Sequence, residues 1–298
     1  MLKRLFRWSV ALAIVGAAVF WFVTAPKPLP EDALAGLEPD LARGEVVFNA
    51  AGCASCHAPE KAEGEEKLVL AGGRSFPSPF GTFLSPNISP DPEHGIGTWT
   101  AMDLANAMTR GLSPNGQHYF PAFPYTSYAK ADLSDVVSLH GYLMTLPASS
   151  EPSKPHDVGF PFNIRRQLGG WKMLFFDDSW FVADGLNEEE QRGRYLVEAL
   201  GHCGECHTPR NPLGGVTRSK WLAGAPNPSG KGTIPNITPA VLEWSNAEIA
   251  EYLDSGFTPE FDTAGGHMVE VVENFATLPP EDRDAVAAYL KKVPGVSN

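Results

Sequence analysis

The sequence is short of cysteine and of basic residues. Its 298 residues include 4 cysteines, and 23 Lys and Arg stand against 35 Asp and Glu, which gives a formal net charge of −12. Small folds held by disulfides need far denser cysteine, and a nucleic-acid surface needs clustered Lys and Arg, a pattern found only at the N-terminus. We therefore expect no disulfide scaffold and no nucleic-acid partner, whereas an acidic face suits encounter with a basic redox partner.

Long apolar runs are absent too, with one exception near the N-terminus. Three basic residues precede an uncharged apolar run at 8–23, a pattern typical of a membrane anchor or an export signal, and the positive flank predicts a cytoplasmic N-terminus. A cleavable signal needs a small-residue site, and the nearest candidate is followed at once by Pro26. We expect an uncleaved anchor at 1–25 and then a proline-rich stalk at 26–37 that lifts the rest of the chain off the bilayer.

All four cysteines lie in two Cys-x-x-Cys-His units, "CASCH" at 53–57 and "CGECH" at 203–207. These units belong to a longer internal repeat, because "SPNISP" at 85–90 matches "IPNITP" at 234–239. A tryptophan opens a helical pattern after each of these loops, and each copy closes with another helical pattern and a proline. The repeat therefore predicts two similar domains.

We predict an all-α fold of two tandem domains with long loops. The 27 prolines and 29 glycines indicate extensive ordered loops, and no convincing alternating strand pattern is present. In each copy we expect a short helix leading into the Cys-x-x-Cys-His unit, a middle helix after the tryptophan, a loop and a final helix. The predicted domains cover 38–148 and 188–298, and the aromatic residues of 149–187 predict a packed connector between them.

The histidine next to each cysteine pair distinguishes between a disulfide, a redox-active pair, a zinc site and a haem attachment site. A disulfide or a thioredoxin-like redox pair does not need it, and zinc needs two further ligands that the sequence does not place nearby. Haem c uses all three residues, because two thiols add to its vinyl groups and the histidine binds the iron. We therefore predict two covalently bound haem c groups. Their attachment residues are Cys53, Cys56 and His57, and Cys203, Cys206 and His207.

The two units, together with "GIGTW" at 95–99 and "YFPAFPYTSY" at 119–128, resemble a known family. Beyond the anchor, the chain is similar to the multi-haem cytochrome c subunits of membrane-bound bacterial alcohol, gluconate and aldehyde dehydrogenases, and more closely to their smaller di-haem relatives. The resemblance implies class I cytochrome c domains in the periplasm, and the anchor predicted from residues 1–25 would hold them at the bacterial inner membrane by one N-terminal span. It does not imply a particular dehydrogenase partner.

In this family a methionine late in each domain binds the iron opposite the histidine. Met268 fits that position in the second domain, with His267 as the fallback, whereas the equivalent position in the first domain is Phe123, which cannot bind iron. We choose His118 as the replacement, because it lies in the loop that covers this face of the haem and imidazole is a strong iron ligand. The alternatives are an open site and three helix methionines, Met102, Met108 and Met144.

These expectations favour electron transfer over catalysis. We find no Ser/His/Asp group or paired carboxylates that would indicate an active site, and a haem domain needs mainly to set potential and access. The predicted function is to carry electrons from a quinol-linked or dehydrogenase donor to a terminal oxidase or a soluble cytochrome. The alternative is a haem enzyme, a peroxidase or an oxidant of sulfur compounds, that uses the first haem because it lacks the methionine.

Overall fold

The computed structural model describes residues 1–228 and 232–297. The chain begins with α1 (Leu2–Val23), a helix of 22 residues with a mean hydropathy of 1.8 and no buried residue. At 1.5 Å per residue this helix is about 33 Å long, close to the hydrocarbon thickness of a bilayer. Its length and composition suit a membrane span or a signal sequence.

The segment after α1 packs against the first repeat (residues 38–148) instead of standing free as a stalk. Thr24, where α1 ends, is buried, and the backbone N–H of Leu29 donates to the side-chain oxygen of Asn106 at 2.8 Å. Leu29 and Leu34 also contact the hydrophobic core. These two leucines bury apolar surface and hold the segment against the fold.

The first repeat has helices separated by long loops. Asp40 accepts a hydrogen bond from the backbone of Arg43 and so begins the first of these helices. The expected middle and closing helices are both present, and a short 3₁₀ turn (Gly64–Leu68) precedes a hairpin. The elements are α2 (Leu41–Ala50), α3 (Cys53–His57), β1 (Ser75–Ser78), β2 (Gly81–Leu84), α4 (Ala101–Arg110), α5 (Tyr125–Tyr128) and α6 (Leu133–Leu143).

The connector contains one helix, and the second repeat (residues 188–298) follows the order of the first. Its first helix continues through a π-helical turn (Tyr195–Leu200) toward the second Cys-x-x-Cys-His unit, and a 3₁₀ turn (Arg218–Lys220) again precedes a hairpin. The elements are α7 (Gln167–Phe175) in the connector, then α8 (Glu188–Arg194), α9 (Gly204–His207), β3 (Ala225–Pro226), β4 (Thr233–Ile234), α10 (Asn246–Ser255), α11 (Met268–Ala276) and α12 (Pro280–Leu290).

The middle helices begin and end with the same chemistry in both repeats. Thr100 caps α4 and Ser245 caps α10, each in a reciprocal pair with the acidic residue three positions on. Both helices end at a glycine, Gly111 with a φ of 59° and Gly256 with a φ of 77°. Glycine adopts this left-handed conformation without steric cost, so the local sequence alone fixes both helix ends.

The first and last helices of each repeat cross at a glycine. Gly44 on α2 lies against the backbone oxygen of Ser138 on α6, and Gly193 on α8 lies against the backbone oxygen of Ala285 on α12. A Cβ atom at either glycine would overlap that oxygen. The close approach of the two backbones therefore requires glycine at both crossings.

A buried ion pair accompanies each crossing. Arg43 donates two hydrogen bonds of 2.7 Å to Asp135, and Arg192 donates two of 2.7 Å to Asp282. Both aspartates are 5% exposed, so the bidentate geometry satisfies carboxylates that would be costly to bury alone. The Tyr195 hydroxyl also donates to Asp135 at 2.7 Å and so joins the two repeats.

The all-α prediction is too simple, because the structure is mostly helical but also contains two short antiparallel hairpins. In the first, Ser75 pairs with Leu84 and Ser78 with Gly81, and in the second Ala225 pairs with Ile234. Proline interrupts one strand of each hairpin, and strands of four and two residues are too short to show a period of two. The segment between the middle and last helices of the second repeat, expected to be a loop, contains α11.

The connector packs against both repeats through its aromatic residues. The rings of Trp171 and Phe176 lie 6.5 and 6.2 Å from the ring of Tyr125 in the first repeat. Phe181 stacks on Trp221 of the second repeat at 5.2 Å. Apolar contact on both sides fixes the connector in place.

Candidate haem sites

The four cysteines lie on two single helical turns that follow the first helix of each repeat. Gly52 begins α3 with a φ of 60°, and this turn places Cys53 and Cys56 three residues apart on one side of the chain. Cys203 begins α9 and Cys206 lies within it. All four thiols are free, so each pair has the spacing and the chemistry to attach one haem.

A backbone carbonyl orients the histidine of each unit. Nδ1 of His57 lies 2.8 Å from the carbonyl oxygen of Pro86, and Nδ1 of His207 lies 2.8 Å from that of Pro235. Because a carbonyl only accepts, Nδ1 carries the proton and Nε2 is left unprotonated, as an iron ligand requires. Burial lowers the pKa of both histidines, which also favours the neutral ring.

The repeated "SPNISP" and "IPNITP" loops hold these carbonyls in place. The side-chain amide of Asn87 donates to the carbonyls of Ser149 and Glu151, both at 2.8 Å. Asn236 donates to the carbonyl of Val296 at 2.8 Å. Each asparagine ties its loop to the segment that follows the last helix of its repeat, and so fixes the proline carbonyl that orients the histidine.

The thiols lack the lowered pKa of a redox-active pair. Burial raises the pKa of Cys53 to about 12, of Cys56 to about 11 and of Cys203 to about 12, whereas a thioredoxin-like pair needs a lowered thiol pKa. Among residues 1–228 and 232–297, no group of three or more His, Cys, Asp or Glu side chains is placed to hold a metal ion. The donor set therefore fits haem c and not zinc.

The surroundings of the second unit also fit a bound group. The indole of Trp221 packs so closely on Gly204, inside the Cys-x-x-Cys-His unit, that a Cβ atom there would overlap the ring. Trp221 is buried, yet its indole N–H has no hydrogen-bond partner in the part of the chain that the structure describes. Buried polar groups are nearly always paired, so this donor beside the attachment turn is consistent with a partner supplied by the haem.

The residues expected opposite the histidines lie in different settings. Met268 is half-buried and is the first residue of α11. Phe123 follows α4 in a loop, where its ring lies 5.8 Å from the rings of Tyr119 and Tyr128. Met108 is 3% exposed and belongs to the hydrophobic core.

His118 is held by hydrogen bonds at both ring nitrogens. Nε2 lies 3.0 Å from the carbonyl oxygen of Thr24, and Nδ1 lies 3.1 Å from Nζ of Lys172. Nε2 therefore donates to the end of α1 and Nδ1 accepts from the connector. Neither nitrogen is available to iron in this arrangement, because the loop that carries His118 packs on the segment following α1.

The first attachment turn is covered by α11 of the second repeat, which sequence reasoning missed. The side-chain amide of Asn274 donates to the hydroxyl of Ser55 at 2.8 Å. Arg74 donates to the backbone oxygen of Ser55 and, at 2.7 Å, to Glu270. No local signal marks these residues, because Ser55 and Asn274 lie 219 positions apart.

The second attachment turn is covered in the same way by α5 of the first repeat. Glu205, inside "CGECH", accepts hydrogen bonds from the hydroxyls of Thr126 at 3.1 Å and Ser127 at 3.2 Å, and pairs with Arg210. Although burial opposes its charge, Arg210 and the hydroxyls hold the pKa of Glu205 below its ordinary value. Each attachment turn thus faces the other repeat.

Known proteins are similar in sequence to this chain over most or all of its length. The model of the cytochrome c family matches residues 41–147. The chain is 55% identical over 295 residues to "Diheme cytochrome c-type" of Cereibacter sphaeroides, across 99% of this chain and 100% of that protein. It is 37% identical to the fructose dehydrogenase cytochrome subunit of Gluconobacter japonicus, across 96% of this chain and 58% of that subunit.

A further relative is somewhat longer than this chain. The chain is 33% identical over 265 residues to the gluconate 2-dehydrogenase cytochrome c subunit of Pantoea cypripedii, across 84% of this chain and 59% of that protein. The two cysteine pairs, the histidines that backbone carbonyls orient and the similarity over the full length all indicate the same family. The chain belongs to the di-haem c-type cytochromes, electron-transfer proteins, and binds haem c covalently.

Proposed function

We propose that this chain is a membrane-anchored periplasmic carrier that takes electrons from a dehydrogenase or a quinol-linked donor and passes them to a terminal oxidase or a soluble cytochrome. Bound haem c supplies one-electron chemistry, and the polypeptide sets its potential and access. The names of the fructose and alcohol dehydrogenase cytochrome subunits support a dehydrogenase as the donor.

The observation that carries the proposal is that both attachment turns lie at one interface between the repeats. Asn274 of the second repeat donates to Ser55 in the first turn, and Ser127 of the first repeat donates to Glu205 in the second turn. Groups attached at these turns would therefore be neighbours. This arrangement suits electron exchange between two carriers within one chain.

We propose that residues 38–148 and 188–298 are tandem class I cytochrome c domains. The glycine crossing, the bidentate ion pair and the carbonyl-oriented histidine each occur twice, at equivalent positions. We also propose that residues 1–25 remain as a single membrane span, because Pro26 disfavours cleavage and Arg166 of the connector bonds to the last turn of α1.

We propose Met268 as the ligand opposite His207. For the iron at His57, the hydrogen bonds at both nitrogens of His118 favour the alternatives, a helix methionine such as Met108 or an open position. Methionine raises the potential of a haem relative to a second histidine. We propose that the haem bound by Met268 has the higher potential of the two, which requires a ligand other than methionine or an open position at the first iron, and that electrons pass from the first repeat to the second.

Variants with one attachment site removed test the proposed route. Cys203→Ala/Cys206→Ala removes the second site, and Cys53→Ala/Cys56→Ala removes the first. We expect the first variant to be reduced by the donor at the parent rate but to lose electron delivery to a soluble acceptor cytochrome. We expect the second variant to lose reduction by the donor, as followed by stopped-flow absorption.

Full electron delivery by either variant would overturn the route. The alternative of a haem enzyme makes a different prediction. Peroxide would oxidise the reduced protein faster than the acceptor cytochrome does, and only Cys53→Ala/Cys56→Ala would lose this reaction. Haem staining after denaturing electrophoresis controls for the remaining covalent attachment in each variant.

A further inference from the structure

A contiguous apolar patch lies on the connector and a neighbouring loop. We define the connector patch as Phe160, Phe162, Met173, Leu174 and Leu213, which are 81%, 44%, 64%, 70% and 60% exposed. Phe80 links Phe162 to the loop of Leu213, because its ring lies 5.2 Å from that of Phe162 and packs against Gly214. Trp171 links the same loop to α7, because its indole N–H donates to the carbonyl of Leu213 at 2.9 Å.

The connector patch is continuous with the end of α1. Gly169 on α7 lies directly against the backbone of Thr24, and a Cβ atom added at Gly170 would lie 3.8 Å from the methyl group of Thr24. Met173 and Leu174 follow these glycines by four residues each, so they lie on the same face of α7. The exposed apolar face of α7 therefore begins where α1 ends.

Charge distinguishes this segment from the rest of the chain. Residues 160–175 contain three basic residues and no acidic one, in a chain whose formal net charge is −12. Arg166 donates to Thr24 at 3.0 Å and its guanidinium lies 4.3 Å from the ring of Trp21. An aromatic segment beside the end of an apolar helix, with arginine side chains that can pair with lipid phosphates, matches the headgroup region of a bilayer.

We propose that the connector patch inserts into the headgroup region of the membrane as a second contact beside α1. This inference rests on the proposed membrane span. A helix that ends in a free linker lets its domain pivot, whereas a second apolar contact fixes the side that faces the lipid. The first repeat is thereby held at the membrane surface, and the acidic remainder of the chain faces the aqueous phase.

Photo-crosslinking in nanodiscs tests the proposal on the full haem-loaded chain. The discs contain an anionic phospholipid with a photoactivatable acyl chain, and labelled peptides are identified by mass spectrometry. We expect lipid adducts in α1 and in residues 160–175. Phe257 and Phe261, which are 51% and 88% exposed on the second repeat, are matched apolar controls and should carry none.

A variant of the connector patch tests whether the adducts at 160–175 depend on its apolar side chains. Met173→Glu/Leu174→Glu should lose the adducts at 160–175 and keep those in α1, with an unchanged haem spectrum as the control for folding. Adducts in α1 alone in the parent protein would overturn the inference and leave the span intact. Absence of adducts in α1 would overturn both, and equal labelling at Phe257 and Phe261 would show general adhesion to lipid and overturn the inference.

Discussion

One hydrogen bond at each attachment turn decides which histidine nitrogen faces the iron. Local spacing is enough to find His57 and His207, because Cys-x-x-Cys-His is contiguous. It is not enough to find the carbonyls that orient them, which lie 29 and 28 residues further along. The repeated loops identify the segments that carry these carbonyls. Only the fold shows that the carbonyls bond to the two histidines.

His118 illustrates the opposite case, in which residue type suggests a role that geometry does not support. Because both ring nitrogens are hydrogen-bonded, we expect His118→Ala to leave the spin state of the first haem unchanged in electron paramagnetic resonance. Met268→Ala is the comparison and should convert the second haem from low-spin to high-spin. A high-spin first haem in His118→Ala would establish His118 as its ligand after all.

Lys172, which donates to His118, gives a pH-dependent prediction. Its ammonium also donates to the carbonyls of Arg110 and Gly111 and lies 4.7 Å from the ring of Tyr125. Burial nevertheless lowers the pKa of Lys172 to about 7, whereas a lysine in an unfolded chain has a pKa of about 10.4. Between these values the unfolded state binds more protons, so this group makes unfolding less favourable as the pH rises.

The comparison is with Lys172→Met, which lacks the titrating group. From about pH 7 to about pH 10, the free energy of unfolding of the parent should rise relative to that of the variant, and below about pH 7 the difference should be constant. Denaturant titrations in detergent at several pH values measure it. Parallel pH profiles for the two proteins would show that the pKa of Lys172 is not lowered by folding.

At the scale of elements, the sequence predicts what depends on local chemistry. The internal repeat and the helical spacing of apolar residues located α4, α6, α10 and α12. The hairpins and α11 were not predicted, because their strands are shorter than the period that would reveal them and α11 follows a glycine-rich loop without a side-chain cap. Prediction fails where an element is stabilised mainly by its neighbours in space.

The helix crossing of the second repeat depends on one glycine. Alanine normally stabilises a helix relative to glycine by about 0.5–1 kcal/mol, but at Gly193 its Cβ would overlap the backbone oxygen of Ala285. We therefore expect Gly193→Ala to lower the free energy of unfolding by about 1–3 kcal/mol, measured by circular dichroism in denaturant. Gly159→Ala, with no atom of the described residues within 4 Å of the added Cβ, should be nearly neutral. An unchanged midpoint for Gly193→Ala would mean that the helices separate without cost.

At the scale of the whole molecule, the sequence predicts two repeats but not how they meet. Their interface includes polar side chains, such as Ser55 and Asn274, that carry no periodic signal and lie 219 positions apart. The structure places the attachment turns at this interface. The electrostatics of one haem site therefore depend on residues of the other repeat.

The pair of Arg74 and Glu270 makes this dependence measurable. Arg74 lies 2.7 Å from Glu270 and is close enough to Cys56 to oppose the rise of its pKa. A positive charge beside a haem favours the reduced form, and Glu270 offsets that charge. We expect Glu270→Gln to raise the midpoint potential of the first haem by on the order of 60 mV, which is about tenfold in a one-electron equilibrium constant.

Glu273→Gln on the same helix is the matched control. Glu273 pairs with Lys67, and their side chains are 50% and 39% exposed, compared with 31% and 20% for Glu270 and Arg74. Solvent screens the more exposed pair, so potentiometric titration of the full chain should show almost no shift for Glu273→Gln. Equal shifts in both variants would mean that overall charge sets the potential. No shift in Glu270→Gln would mean that the ion pair only holds the repeats together, and that the first haem is insulated from the second repeat.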